Sequence, residues 1–222
     1  MSERQTNYTI GEGMELPSKG LIYGNVNAYV ELRSMTARDE MKRLSPSPAK
    51  FKILADIIEG CMIEKPAIHV YDMALGDYEY LLHRLRIVTY GDEYKLAVRC
   101  PHCGEVTETV AHLEELEIIP FDQTKFEELK RKFKAAEINF DLLVLLKKVI
   151  ARVNGTKLNS TQLETYINNL PALDLTKLVN SIDEINALIG IKNELSVICP
   201  NCGGEVSTYF RFGPEFFRPS NI

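Results

Sequence analysis

Cys100-Pro101-His102-Cys103-Gly104 and Cys199-Pro200-Asn201-Cys202-Gly203 are near-copies of one short motif, and together they hold four of the five cysteines in a chain of 222 residues. Cys-x-x-Cys is a short loop through which two thiolates chelate one ion, and a tetrahedral structural zinc takes four such sulfurs at about 2.3 Å. Each copy supplies half a site, so Cys100, Cys103, Cys199 and Cys202 are the expected ligands of one structural Zn2+ per chain. The flanks repeat too: Val98-Arg99 and Val106-Thr107 around the first knuckle correspond to Val197-Ile198 and Val206-Ser207 around the second. Glycine followed by β-branched residues favours a hairpin at each knuckle, and the two together make a zinc ribbon.

The ribbon is split. Between Cys103 and Cys199 lie 95 residues, where a compact ribbon has roughly 15–20. Loop closure costs only about 0.6 kcal/mol per doubling of length, so a folded excursion is tolerable if its ends return close together. The metal is then expected to staple those ends. Two separate reduced Cys-x-x-Cys pairs are the competing reading, and His102 is an alternative ligand inside the first knuckle. A redox pair should follow a strand and open a helix, which the glycines here disfavour. Cys61, in an apolar stretch, reads as a buried core residue.

With 45% hydrophobic and 26% charged residues the chain can bury a substantial core. The longest aliphatic run, Leu142 to Leu146, is far short of the roughly 20 residues that span a bilayer. Met1 to Gln5 has no apolar signal core, so synthesis in a reducing cytoplasm is expected, which suits metal-bound thiols. A net charge of −5 argues against nucleic acid as the main partner. The basic strip Lys130-Arg131-Lys132 and Lys134 is interleaved with Glu127, Glu128 and Glu137 and reads as a solvated helix face.

The fold class expected is α+β: an N-terminal β-hairpin plus helices, the split four-cysteine zinc ribbon, and a mostly α-helical insertion between the knuckles. Residues 1–13 read as a flexible arm, 14–112 as the α+β body with the first knuckle, 113–195 as the helical insertion, and 196–222 as the second knuckle strand with an aromatic tail. Within the body, Leu16 to Gly24 reads as an extended piece with turns, Ala28 to Arg33 as a strand, and helices are expected over 37–44 capped by Thr36, 49–59 and 76–88, with a strand over 94–98. Within the insertion, helices should follow Thr124, span 140–153, and start at a Thr161-to-Glu164 capping box. A last amphipathic stripe of Leu175, Leu178, Val179, Ile182, Ile185 and Leu188 reads as core. The tail concentrates five aromatics between Tyr209 and Phe217; Phe216 and Phe217 either dock on a neighbouring subunit or pack back on their own domain.

Little points to catalysis. Gly11-Glu12-Gly13 lacks the context of a phosphate loop, the four histidines lack His-Glu-x-x-His spacing, and there is no Gly-x-Ser-x-Gly elbow. Asp56, Asp72, Asp77 and Glu79 read as solvated or capping carboxylates. Four thiolates leave a metal no open position, so no enzyme activity is expected.

Leu16-Pro17-Ser18-Lys19-Gly20-Leu21-Ile22-Tyr23, the strand entering Arg33-Ser34-Met35-Thr36 with Asp39-Glu40, and Arg84-Leu85-Arg86 leading to Tyr90-Gly91 and the first knuckle are together similar to the T4-type bacteriophage baseplate hub assembly family. The resemblance spans about residues 14–110 and, more loosely, the terminal Cys-Pro-x-Cys. It implies a structural or assembly protein of a contractile-tailed phage, made in the host cytoplasm and located in the virion tail, whose partners are other tail and baseplate proteins and not a small molecule or a membrane. Leu16, Pro17, Lys19 and Leu21 then stand, with Phe216 and Phe217, as candidate partner contacts. The alternative is a zinc-ribbon regulatory or nucleic-acid-binding adaptor.

Overall fold

Alternation in Tyr29-Val30-Glu31-Leu32 places Val30 and Leu32 on one face, and both are fully buried. This strand, β2 (Tyr29–Leu32), is the middle of a three-stranded antiparallel sheet, between β1 (Glu12–Glu15) and β3 (Met62–Glu64). The computed structural model describes residues 11–24, 26–46, 50–125, 127, 153–209, 212 and 214–217. The first strand lies upstream of the expected one: Leu16 to Gly24 is not a strand but the loop of the β1–β2 hairpin, and Glu12 and Gly13, expected in a loose arm, are paired in β1.

Helix α1 (Ala37–Leu44) starts at a capping box in which Thr36 accepts from the Asp39 amide and Asp39 accepts from the Thr36 amide. Helix α2 (Lys50–Cys61) runs past Gly60, where the sequence suggested a stop, and so carries Cys61 into the core with 0% exposure. Helix α3 (Leu75–Tyr90) ends at Gly91, whose φ of 86° suits a residue without a Cβ. Leu81, Leu82 and Leu85 of α3, Leu54, Ile57 and Ile58 of α2, and the inner face of the sheet form the main core.

Arg86 explains the Arg84-Leu85-Arg86 to Tyr90-Gly91 stretch. It is fully buried, donates to the Gly91 and Glu93 carbonyls at 2.8 and 3.2 Å, and lies over the Tyr90 and Tyr94 rings. The helix end is thereby tied to β4 (Glu93–Arg99), which pairs with β5 (Val106–His112). Arg84 pairs with Glu12 and fixes β1 to the same helix.

The excursion leaves the body at β6 (Ile118–Ile119) and returns at β7 (Gly190–Ile191), and these two strands pair with each other. Its return rests on a backbone contact, since a Cβ on Gly76 would stand 2.2 Å from the Ile189 carbonyl oxygen and one on Gly190, at φ +121°, 2.7 Å from the Gly76 Cα. Only glycine at both places lets β7 lie directly on the first turn of α3. Leu113, Leu116 and Ile191, at the borders of the excursion, pack in the main core.

Inside it, the capping box of α4 (Ser160–Asn168) lies two residues before the expected one, because Asn159 and Gln162 cap each other at 2.9 and 3.0 Å. Helix α5 (Ala172–Asn186) carries the expected stripe, yet Leu175, Leu178 and Val179 are only half-buried and Leu173 is exposed. The side chains of Ile182 and Ile185, the basic strip and all but the last residue of the helix expected over 140–153 lie outside the described residues; that last residue, Val153, forms an isolated bridge with Thr156. Strands β8 (Glu194–Ile198) and β9 (Glu205–Tyr209) form the second hairpin, followed by a 3-10 turn over Pro214–Phe217.

Candidate metal centre

Each knuckle is the tip of a hairpin, and the two tips have the same construction. Arg99 pairs with Val106 and Ile198 with Glu205, so six residues form each loop. The Cys100 amide donates to the Glu105 carbonyl and that of Cys199 to Gly204, while Gly104 and Gly203 donate to the carbonyls of Cys100 and Cys199, all at 2.8–2.9 Å. Both glycines have φ near +70°, which tightens the turn and points both cysteines of the knuckle to one side. The register corrects one correspondence drawn from the sequence. Val206 is structurally equivalent to Thr107 and not to Val106, because the extra Gly204 shifts the second copy by one residue. Accordingly Val206 is buried and Val106 is exposed.

The tips meet. All four sulfurs lie within 4.8 Å of one another, with Cys100 Sγ 3.6 Å from Cys202 Sγ and Cys103 Sγ 3.8 Å from Cys199 Sγ. Four sulfurs at 2.3 Å from a central ion would be about 3.8 Å apart, whereas a disulfide needs about 2.05 Å. All five cysteines are free. The donor set therefore fits a tetrahedral metal ion, and the cysteines lying 96 residues apart in sequence belong to one cluster and not to two independent pairs.

Electrostatics point the same way. Amides of Cys202 and Asn201 aimed at the Cys199 sulfur pull its thiol down to about 6. The Glu105 amide likewise lowers that of Cys103. Cys202 receives the Gly204 amide, but its contacts to Cys100, Cys103 and Cys199 outweigh that and push it up to about 12. Four thiolates cannot share this space without a cation to offset their repulsion.

His102, the alternative ligand, is directed elsewhere: its Nε2 donates to the Glu205 carbonyl at 3.1 Å and stitches one tip to the other. A Cβ on Gly204 would stand 2.5 Å from the His102 ring, so the shifted glycine also makes room for this contact. Beneath the sulfurs, Val98, Cys100, Cys199 and Val206 form a small separate core, with Leu96 and Val197 against it. Among the described residues no backbone ladder joins the two hairpins, which are separate two-stranded sheets.

The Leu16-to-Tyr23 segment is a loop built on a buried carboxylate. Asp77, on the first turn of α3, is fully buried, and accepts from the Ser18 amide at 3.0 Å and the Tyr23 hydroxyl at 2.6 Å. The Tyr23 hydroxyl in turn accepts from the Ala74 amide at 2.7 Å. Lys19 and Gly20 both have positive φ, with Leu21 N donating to the Ser18 carbonyl, which makes a turn of the I′ kind. The Pro17 carbonyl accepts from Phe121, tying the loop to the start of the excursion. Burial raises the Asp77 carboxyl above the usual range in spite of these donors. Asp77 was read as solvated or capping from sequence; its partners lie 54 and 59 positions away, and no local spacing signals them.

Asp77→Ala is expected to cost about 1–3 kcal/mol, since it leaves a buried amide and hydroxyl unpaired. It should also open the loop to trypsin at the exposed Lys19. A variant as trypsin-resistant as the wild type would show that the loop holds its shape without this anchor.

Of the six candidate partner contacts, the chain itself buries four. Leu16 and Pro17 lie in the base of the loop, and Phe216 and Phe217 are 1% and 0% exposed in the main core. The tail thus packs back on its own body, with Phe216 5.4 Å from the Tyr94 ring and edge-on to Phe212 and Phe217. Lys19 and Leu21 face outward, Leu21 at 45%. On α3, buried His83 bonds to the Leu113 carbonyl through Nε2 at 2.7 Å, and Glu79, which reads from sequence as a solvated or capping carboxylate, is instead half-buried, and burial pushes its carboxyl up to about 7. Among the described residues no helix is long and apolar enough to cross a membrane.

Residues 14–218 match a family model described as T4 bacteriophage base plate protein. No curated protein and no solved structure gives a significant match. The matched span takes in the loop, both hairpins and most of the aromatic tail, and the chain belongs to the T4-type baseplate protein family.

Proposed function

We propose that this baseplate-family chain is a structural or assembly component of the baseplate hub of a contractile-tailed bacteriophage, and that it acts through protein contacts with other tail proteins. The observation that carries this reading is the family match over residues 14–218. Membership in a baseplate family implies association with other phage tail proteins and a place in the tail of the virion. The loop from Ser18 to Leu21 is the contact surface we favour. Its base is locked on Asp77, so it presents Lys19 and Leu21 with little entropy left to lose on binding.

The metal in the four-cysteine cluster is zinc in this reading, one per chain, and the paired hairpins are a split zinc ribbon. Sulfur separations of 3.6 and 3.8 Å support tetrahedral thiolate ligation. Cys100, Cys103, Cys199 and Cys202 fill all four positions, so the ion braces the hairpin tips and activates no water. The nucleic-acid adaptor reading draws no support from the outward faces of the hairpins, where Glu93, Glu108, Glu194 and Glu205 offset Lys95 and Arg99.

Coexpression with the hub and wedge proteins of the same phage tests the assignment. The wild type is expected to copurify with at least one of them. The double variant Lys19→Glu, Leu21→Asp should lose that association at least tenfold while melting like the wild type, because both side chains are exposed. A wild-type chain that stays monomeric beside every baseplate protein would sink the hub reading. A double variant that still copurifies would move the contact elsewhere.

A further inference from the structure

Two thiol–thiol contacts of hydrogen-bonding length run between the hairpins: Cys100 to Cys202 at 3.6 Å and Cys103 to Cys199 at 3.8 Å. In each pair one cysteine is exposed, Cys202 or Cys103, and the other is buried, Cys100 or Cys199. Among the described residues no ladder of backbone hydrogen bonds joins the hairpins, so only the small side-chain core and the His102 bond to Glu205 have to adjust for the sulfurs to close to the roughly 2.05 Å of a disulfide. Within each knuckle a turn bond from Gly104 to Cys100 and from Gly203 to Cys199 holds the loop in its present shape.

We propose that the cluster is a latch with two closed forms: metal-bound while the thiols are reduced, and joined across the hairpins by the disulfides Cys100–Cys202 and Cys103–Cys199 when the metal is lost to an oxidant. This rests on the reading of the four thiols as metal ligands. With a peroxide as oxidant, the exposed thiol is converted to a sulfenic acid with release of water. The buried thiol across the gap then attacks that sulfur, forming the S–S bond and releasing a second water. Each disulfide consumes one peroxide, to which its two thiols give up two electrons. A particle assembled in a reducing cytoplasm and released into an oxidising medium would keep its hairpins clamped under both conditions. The first cross-link closes a loop of about a hundred residues, and the constraint a disulfide puts on the unfolded chain grows with the length of the loop it closes.

The test takes the full-length protein, strips the metal with a chelator under reducing conditions, and exposes it to hydrogen peroxide in slight excess. Intact mass and peptide mapping without reduction follow. The expected result is a mass loss of about 4 Da, four hydrogens for two disulfides, with Cys100 linked to Cys202 and Cys103 to Cys199. In Cys100→Ser only the Cys103–Cys199 link should form, with a loss of about 2 Da. Links confined to one knuckle, Cys100–Cys103 or Cys199–Cys202, would overturn the proposal, as would oxidation to sulfinic acids without any cross-link. Elemental analysis of the untreated protein is read separately: absence of zinc there defeats the metal reading and leaves the cross-link pattern to be judged on its own.

Discussion

Replacing Cys199 by Ser is expected to abolish zinc binding and to release the two hairpin tips from each other, while the body of the protein stays folded. A serine hydroxyl is a poor ligand, and the remaining three thiolates cannot complete a closed structural site. In small fingers the metal supplies an apparent 10–16 kcal/mol or so, which is the whole of their folding energy. This chain differs, because the main core from Met14 to Phe217 forms apart from the small cluster beneath the sulfurs. Most of the lost energy should therefore appear as local opening. Hydrogen exchange at the Gly104 and Gly203 amides should rise together, since each closes its own knuckle and an ion held by all four sulfurs would tie both knuckles at once. Unchanged zinc content in the variant, or a rise confined to the second knuckle, would refute a shared site.

That outcome modifies what the sequence suggested for the excursion. Its ends need no metal to stay together, because β6 pairs with β7 and Gly190 lies on Gly76. The cysteine cluster sits beyond that closure and fixes how the second hairpin lies on the first.

The second large effect belongs to Phe217. It is fully buried, stands edge-on to Phe216 at 5.9 Å, and belongs to the core that α2 and α3 build. Phe217→Ala should cost about 3–5 kcal/mol, from lost transfer energy plus the cavity left behind. Tyr209→Ala, at a residue 66% exposed a few positions earlier, should change stability by less than about 0.5 kcal/mol. Denaturant unfolding of both variants decides between the two roles open to the tail. A stable Phe217→Ala chain that no longer associates with baseplate proteins would restore Phe217 as a partner contact.

Much of this was legible because it depends on short-range rules. Two Cys-x-x-Cys copies with a glycine behind each can be read as paired tips, since chelation chemistry limits which residues stand at that spacing. Thr36 and Asp39 announced a helix start, and the alternation in Tyr29 to Leu32 announced a strand, because capping and pleating are local. The shifts came where a neighbour in space overrode a neighbour in sequence. Helix α2 continued through Gly60 because Cys61 gains burial there, and one extra glycine moved Val206 out of register with Val106.

By itself, then, the sequence determined the chemistry of the chain: four thiols at metal-ligand spacing, an α+β pattern, a family resemblance, and no arrangement that favours catalysis. Only the tertiary structure decided which of these residues face outward. Leu16, Pro17, Phe216 and Phe217 look like exposed contact material when read along the chain, yet they are withdrawn into the core, leaving Lys19 and Leu21 at the surface. Asp77 looks like an ordinary solvated carboxylate, yet it is the buried post on which the loop is built. The physical reason is the same in each case. Burial and hydrogen-bond partnership are properties of groups brought together from 54 to 102 positions apart, and that juxtaposition exists only once the chain has folded.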